Sequence, residues 1–391
     1  MFRNFWRALL VVCFVIGCSK PYRTPEFVSE SPRAIGIAEK LFQEEVVDVL
    51  MIHGMCDHGD GWVQKSFMNM LTSLGYTGSL EGNFLAPPVV FSETELYSQG
   101  FDFNGKTLWL HAIVWSPATI EKKMNLCYDV SNRDKTPWKE CPETVPYPYS
   151  RASGNAKFKD KLMNDCIADA FIYLGEKQEE IQFQVASAII YAAGIRAPGQ
   201  PSWESVINRA GREDAPMFMI SESLGSKVLT DTLIRIIDEA IRPGNLRWPR
   251  PGSYATTDVD ALVLAAKNTF YRTEQIYLGA NQIPALSLAT GNTLRDLMER
   301  MSARERADFG RVPIRVAAFS DPNDIFSYTL IQSGFAEVEG VDVLDVVLSN
   351  DKTWFGLFER PDEAHGGYRT NDHVHKTILC GYPVWEGCPV D

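Results

Sequence analysis

Apolar positions along the chain follow two alternating rhythms. Residues 46–52 (Val-Val-Asp-Val-Leu-Met-Ile) and 217–220 (Met-Phe-Met-Ile) are short, nearly continuous apolar runs, the pattern of strands buried on both faces of a parallel sheet. Residues 108–115, 312–319 and 341–348 read the same way, and 275–288 reads as a strand with its exit loop. Between these runs the spacing becomes helical. Val63, Phe67, Met70, Leu71 and Leu74 recur at steps of three and four and meet a stop at Gly75. Leu229, Leu233, Ile236, Ile237 and Ala240 repeat that spacing, and 165–193, 293–309 and 372–379 are helical in composition and periodicity. Strands alternating with helices predict an α/β fold with a mostly parallel sheet flanked by helices.

Two stretches break the rhythm. Residues 116–161 are polar and proline-bearing and hold Cys127 and Cys141. An unpatterned length of that kind inside a domain is functional or a subdomain. It reads as an inserted, disulfide-pinned cap whose Tyr128, Trp138, Tyr147 and Tyr149 suit an apolar substrate. Deleting it is expected to change substrate range without disabling the site beneath. Prolines and glycines in 242–254 predict a surface excursion.

A chain of 391 residues with 45% hydrophobic content is ample for one large core with insertions, or for two domains. Its formal charge of −12 argues against a nucleic-acid partner, which requires a basic face. At the N-terminus two arginines precede an apolar run over 8–17, too short to span a bilayer but suited to a signal peptide. Val15-Ile16-Gly17-Cys18 resembles the lipobox of bacterial lipoproteins. That resemblance implies a signal peptide over 1–17, a lipidated Cys18 anchoring the chain to a membrane, a tether over 18–40 and a folded domain over 41–391. With Ser19 following, it implies the bacterial cell envelope, at the outer membrane facing the periplasm or the surface. An ordinary signal peptide with an incidental cysteine is the alternative. Export to an oxidising compartment fits the six cysteines beyond Cys13 and Cys18, which allow fifteen pairings. Closeness in sequence favours Cys127 with Cys141 and Cys380 with Cys388, leaving Cys56 for Cys166.

Between the run at 217–220 and the helix that follows lies Ser221-Glu222-Ser223-Leu224-Gly225, long enough only for a sharp turn. A serine at the apex projects its hydroxyl above the sheet edge, and its neighbours two before and two after must be small. The stretch resembles the G-x-S-x-G nucleophile turn of the α/β-hydrolase superfamily, with Ser221 for the first glycine. The bland alternative is a serine that caps the helix. Upstream, the 46–52 strand breaks at His53-Gly54-Met55 and a helix follows, the order found near the start of such hydrolases. By that resemblance the backbone N–H groups of Met55 and Leu224 form the oxyanion hole.

A serine hydroxyl needs a base, and the base an orienting acid. The resemblance sets the order serine, acid, histidine. The acid is then Asp324, with Asp321 as the alternative, in the loop after 312–319. The base is His365, ahead of Gly366-Gly367. His373 and His375 fall within the last helix and read as surface residues. The segment ahead of the first strand is too short for the family's eight strands, which leaves the sheet's size open. The reading is a serine esterase or lipase-like enzyme for a small-molecule or lipid ester, with no cofactor and no metal. Two alternatives belong to other classes. His53, Asp57 and His58 resemble the H-x-H-x-D-H zinc motif of metallo-β-lactamase-fold enzymes, with Met55 at the second histidine and His111 as a further ligand. A hydrolase fold retained as a non-catalytic envelope binding module is the other.

Overall fold

The computed structural model describes residues 24–29, 33–78, 84–131, 137–142, 150–197, 201–241, 259–291, 314–333, 341–353 and 358–389. The expected signal peptide and Cys18, the 242–254 excursion, the 293–309 helix, and Tyr147 and Tyr149 of the cap lie outside the described residues. Among those described, no helix is long and apolar enough to cross a membrane.

Among the described residues, nine strands make one sheet in the order β1-β9-β8-β7-β6-β2-β5-β4-β3. They are β1 Glu26–Val28, β2 Val46–Ile52, β3 Val89–Phe91, β4 Thr94–Phe103, β5 Lys106–Val114, β6 Met217–Glu222, β7 Thr273–Gly279, β8 Ile314–Ser320 and β9 Val341–Val347. From β5 through β2 to β9 all neighbours are parallel, while β3, β4 and β1 add antiparallel edges. The protein is thus α/β, with a mostly parallel mixed sheet flanked by helices.

Alternation along β2 shows how the layers form. Val47, Val49 and Met51 face the helices Ile37–Gln43, Asp60–Ser73 and Asp372–Cys380, and with Phe218, Tyr277 and Phe319 they make one core. Leu50 and Ile52 face the opposite side, where Gln178–Gly194, Trp203–Ala210, Leu224–Ile241 and Val259–Tyr271 cover Met217, Met219, Ile276 and Val316. A strand buried on both faces needs apolar residues at every position, which is why these runs are continuous.

Several expectations change. The sheet is not short of strands: β3 and β4 enter after β2 instead of before it. Nor is the tether entirely free of the domain. Residues 26–28 pair with 345–347, Phe27 stacks on Tyr382 at 3.7 Å, and the Ile37–Gln43 helix buries Ile37, Ala38 and Leu41. The 165–193 helix is broken: a π-helical stretch, Phe158–Ile167, runs into Ala168–Leu174, and Gln178–Gly194 starts after Gly175. The 275–288 strand ends at Gly279 and a helix begins at Ile283. The cap over 116–161 has a small core of its own, Cys127, Val130, Trp138 and Cys141, around the Cys127–Cys141 bridge. Cys56–Cys166 and Cys380–Cys388 are the other two pairs in contact.

One polar group interrupts β2. Asp48 is fully buried, and burial alone would raise its pKa, but Arg272, Arg196 and His111 together hold it well below the usual carboxylate range. Arg272 Nη1 donates to it at 2.5 Å and Arg196 Nη2 at 2.8 Å. Arg272 also donates to Ala215 O and Ala193 O, which ties β6 to the Gln178–Gly194 helix. Removing the carboxylate strands a buried guanidinium, so Asp48→Ala should cost about 3–5 kcal/mol. The urea midpoint should fall with an unchanged slope; an unaltered midpoint would show the cluster to be energetically idle.

Candidate active site

A single residue, Ser223, joins β6 to the helix Leu224–Ile241, and its φ is +53°. That left-handed backbone costs an L-residue about 1–2 kcal/mol. Neighbours hold it in place: the Ser223 N–H donates to Gly279 O at 2.8 Å. A Cβ on Gly54 would lie 2.7 Å from Ser223 Cβ, and one on Gly225 would lie 2.4 Å from His53 O. Ser221 fits where glycine was expected because its buried hydroxyl turns away toward Ser226 Oγ, 3.3 Å off. The parallel pairing of Ile52 with Ser221 brings the ends of β2 and β6 side by side.

His365 meets this serine from the far end of the chain. Its Nε2 is 3.0 Å from Ser223 Oγ, and its Nδ1 is 3.0 Å from each oxygen of Asp324. It sits in the last turn of a short helix, Pro361–Gly366, where a loop was expected, and the Phe326 ring packs against its ring in a T-shaped arrangement, centroids 5.2 Å apart. Asp324 is buried and accepts the Phe326 N–H at 3.0 Å; Tyr368 Oη lies 3.2 Å from its second oxygen. A carboxylate only accepts, so Nδ1 carries the proton and Nε2 offers its lone pair to the serine.

Asp321 does not face His365. Its Oδ1 accepts the Asn323 N–H at 2.8 Å and its Oδ2 the Asn350 N–H at 2.6 Å, so it shapes the turn that presents Asp324.

Sequence reasoning missed Gln282. Its Nε2 donates to Ser223 Oγ at 2.8 Å, and both side chains are buried. With that lone pair taken, the serine's own proton is left to point at His365. The signal was present in Gly279-Ala280-Asn281-Gln282-Ile283-Pro284, a strand end followed by proline in the first turn of a helix. Reading 275–288 as one strand and loop concealed it.

The three histidines of the zinc alternative have other partners. His53 Nε2 accepts the Trp115 N–H at 3.0 Å, which leaves Nδ1 to donate to Gly54 O at 2.8 Å. Burial pushes its pKa well below the usual value. Burial also lowers that of His58 to about 3, and its Nε2 lies 3.1 Å from Met55 O. His111, within β5, lies between Ser98 Oγ and Asp48. Among the described residues the one group of potential ligands close enough for a metal is Cys56, Asp165 and Cys166, and its two sulfurs are bonded to each other.

Ser223 opens onto a cleft of about 210 Å³ lined also by Gly54, Met55, Cys56, His58, Leu162, Cys166, Glu222, Ala280, Phe326, His365, Gly366, Tyr368 and Arg369. Of the expected oxyanion donors, Met55 belongs to the loop after β2 and Leu224 is the first residue of the helix that follows Ser223. Leu224 opens its helix, so its N–H has no partner within the helix. No described residue of 116–161 lines the cleft; Leu162 and Cys166, just beyond that span, do.

Behind the acid loop Asp321 and Glu359 form a second carboxyl pair, both reaching Asn323 Nδ2. Burial, then the charge of Asp321, pushes Glu359 up from 4.5 to about 7. The folded state therefore keeps this proton to higher pH than the unfolded chain. The stability it contributes is full below about 4.5 and is lost as pH rises through about 7. Glu359→Gln should flatten the decline in melting temperature across that window; a profile that still parallels the parent would sink the assignment. Comparison of the sequence with protein-family models and with characterised proteins finds no match, so the reading of this site rests on its own geometry.

Proposed function

We propose that the chain is a serine hydrolase of the α/β-hydrolase type acting on carboxylic esters, esterase- or lipase-like. One observation carries the reading: Ser223, His365 and Asp324, from three distant segments, are hydrogen-bonded in series with the serine on a left-handed strand-to-helix turn.

Each group then has a role. Ser223 Oγ attacks the acyl carbonyl as His365 Nε2 takes its proton. Asp324 fixes the imidazole tautomer and stabilises the imidazolium. The N–H groups of Met55 and Leu224 receive the oxyanion, each such donor mattering by about 10²–10³ in rate. The imidazolium protonates the departing alcohol, and a water, deprotonated by His365, releases the acid. Gln282 holds the serine rotor, a positioning role worth about fivefold for a net hydrogen bond near 1 kcal/mol. Apolar walls from Met55, Leu162 and Phe326 suit an acyl chain or an apolar alcohol.

The lipobox-like sequence supports placing this activity in the bacterial envelope, on a lipid anchor at Cys18, and the three cysteine pairs in contact are consistent with export.

A fluorophosphonate probe should label the parent and not Ser223→Ala. Asp324→Asn should lower kcat by about 10⁴ on short-chain esters, while Asp321→Asn lowers it far less. A parent protein that resists the probe would return the chain to the binding-module reading.

A further inference from the structure

The loop that carries Met55 does not hold itself in place. Cys56, the next residue, has φ of +81°, a conformation that a non-glycine residue keeps only when its surroundings impose it. Those surroundings come from a segment over a hundred residues away. Cys56 Sγ is bonded to Cys166, and the Cys56 N–H donates to Asp169 Oδ2 at 2.7 Å. Asp169 is itself fixed: its Oδ1 accepts the Thr119 hydroxyl at 2.6 Å and lies 2.7 Å from Lys123 Nζ. Lys123 is wholly buried and also pairs with Asp165 at 2.9 Å. The far end of the loop is tied to the same region, since the His58 N–H donates to Ser116 Oγ at 3.0 Å. Asp165 and Cys166 lie in the π-helical stretch Phe158–Ile167, and Asp169 follows two residues after it. Such stretches are rare and concentrate at functional sites.

We propose that Asp169, backed by Lys123, and the Cys56–Cys166 bridge are positioning elements for the Met55 N–H that receives the oxyanion. The cap is then a fixed part of the machinery that stabilises the transition state, not a lid that opens over it. This revises the expectation that deleting 116–161 would spare the site, because Ser116, Thr119 and Lys123 all lie in that span. The inference rests on the serine-hydrolase reading.

The test uses the full chain and compares the parent with Asp169→Asn, Asp169→Ala and the double variant Cys56→Ser/Cys166→Ser. In Asp169→Asn an amide oxygen still accepts the Cys56 N–H, and Lys123 keeps Asp165 as its anion. It should therefore fold and lose only part of the rate, since a charge-assisted hydrogen bond becomes a neutral one. Active sites are titrated with fluorophosphonate, so that kcat refers to folded protein. Asp169→Ala and the double variant should each lose up to about 10²–10³ in kcat, with KM within a few-fold of the parent. The parent, treated with a dithiol that reduces the bridge to two thiols and is itself oxidised to a disulfide, should fall toward the double variant. That variant, whose other two bridges the dithiol also reaches, should lose less than the parent does. If the variants keep the parental kcat, or change KM alone, the positioning role is wrong while the hydrolase reading stands. If the parent itself is not labelled, the hydrolase reading fails first. Should the alanine and serine variants not fold, Asp169→Asn decides: a parental kcat overturns the proposal, and a reduced kcat at parental KM supports it.

Discussion

Close approach of two loops is the constraint on which the site depends. β2 and β6 are parallel neighbours, so the chain leaves both at the same edge, and Gly54 is driven against Ser223. Any side chain at Gly54 or Gly225 would collide with the opposite backbone. The serine is thereby pressed into a left-handed turn that local preference disfavours. The strain is over-determined by packing on both sides, and such strain collects where a side chain must be presented in one direction. Every other feature, from the histidine's approach to the cleft's width, is measured from that turn.

Buried ion pairs extend this constraint outward. Four residues along the helix from Ser223, Lys227 donates to Asp231 at 2.6 Å, and Tyr173 Oη donates to the same carboxylate at 2.9 Å. Tyr173 belongs to Ala168–Leu174, the helix that carries Asp169. One short helix therefore contacts both flanks of the cleft: the helix behind Ser223 through Tyr173, and the Met55 loop through Asp169. Pairs of this kind add little net stability, because desolvation cancels most of the attraction. Their effect is on geometry, since a buried charge leaves its partner only at high cost. Asp48 with Arg272 and Arg196 plays the same part lower in the sheet.

What the sequence made legible follows from burial. Strands such as β2, β6, β8 and β9 lie between two helical layers, so their apolar runs stand out. β4 lies toward the edge and carries Ser98, Gln99 and Gly100 in its middle, which erases the pattern, and β1 has three residues, too few for any period. That Ser223, Asp324 and His365 would meet was legible because a linear order of loops survives in the sequence. Gln282 and Asp169 were not, for a different reason. A glutamine after a strand, or an aspartate within a helical stretch, looks like a solvent-facing residue until the third dimension puts a serine or an amide opposite it. Two of the three cysteine pairs in contact, Cys127–Cys141 and Cys380–Cys388, are those that proximity favoured, and Cys56–Cys166 came by elimination.

The histidines show why residue type alone could not separate the two enzyme readings. His53 and His58 are close in sequence, their rings are 4.5 Å apart, and both border the Met55 loop, as zinc ligands would. Both nitrogens of His53 and Nε2 of His58 instead meet backbone groups. Trp115 stacks on His53 at 5.2 Å and its indole N–H donates to His53 O at 2.9 Å, fixing the bend where β2 turns into the loop. A ring buried this deeply stays neutral, because the imidazolium would lose its hydration without gaining a carboxylate. His375 Nε2 lies 2.7 Å from Arg369 O. His365 differs from these in having a carboxylate on one nitrogen and a hydroxyl on the other, the arrangement in which an imidazole can take up a proton and return it. Partner chemistry thus sets the candidate base apart from the braces among residues of one type.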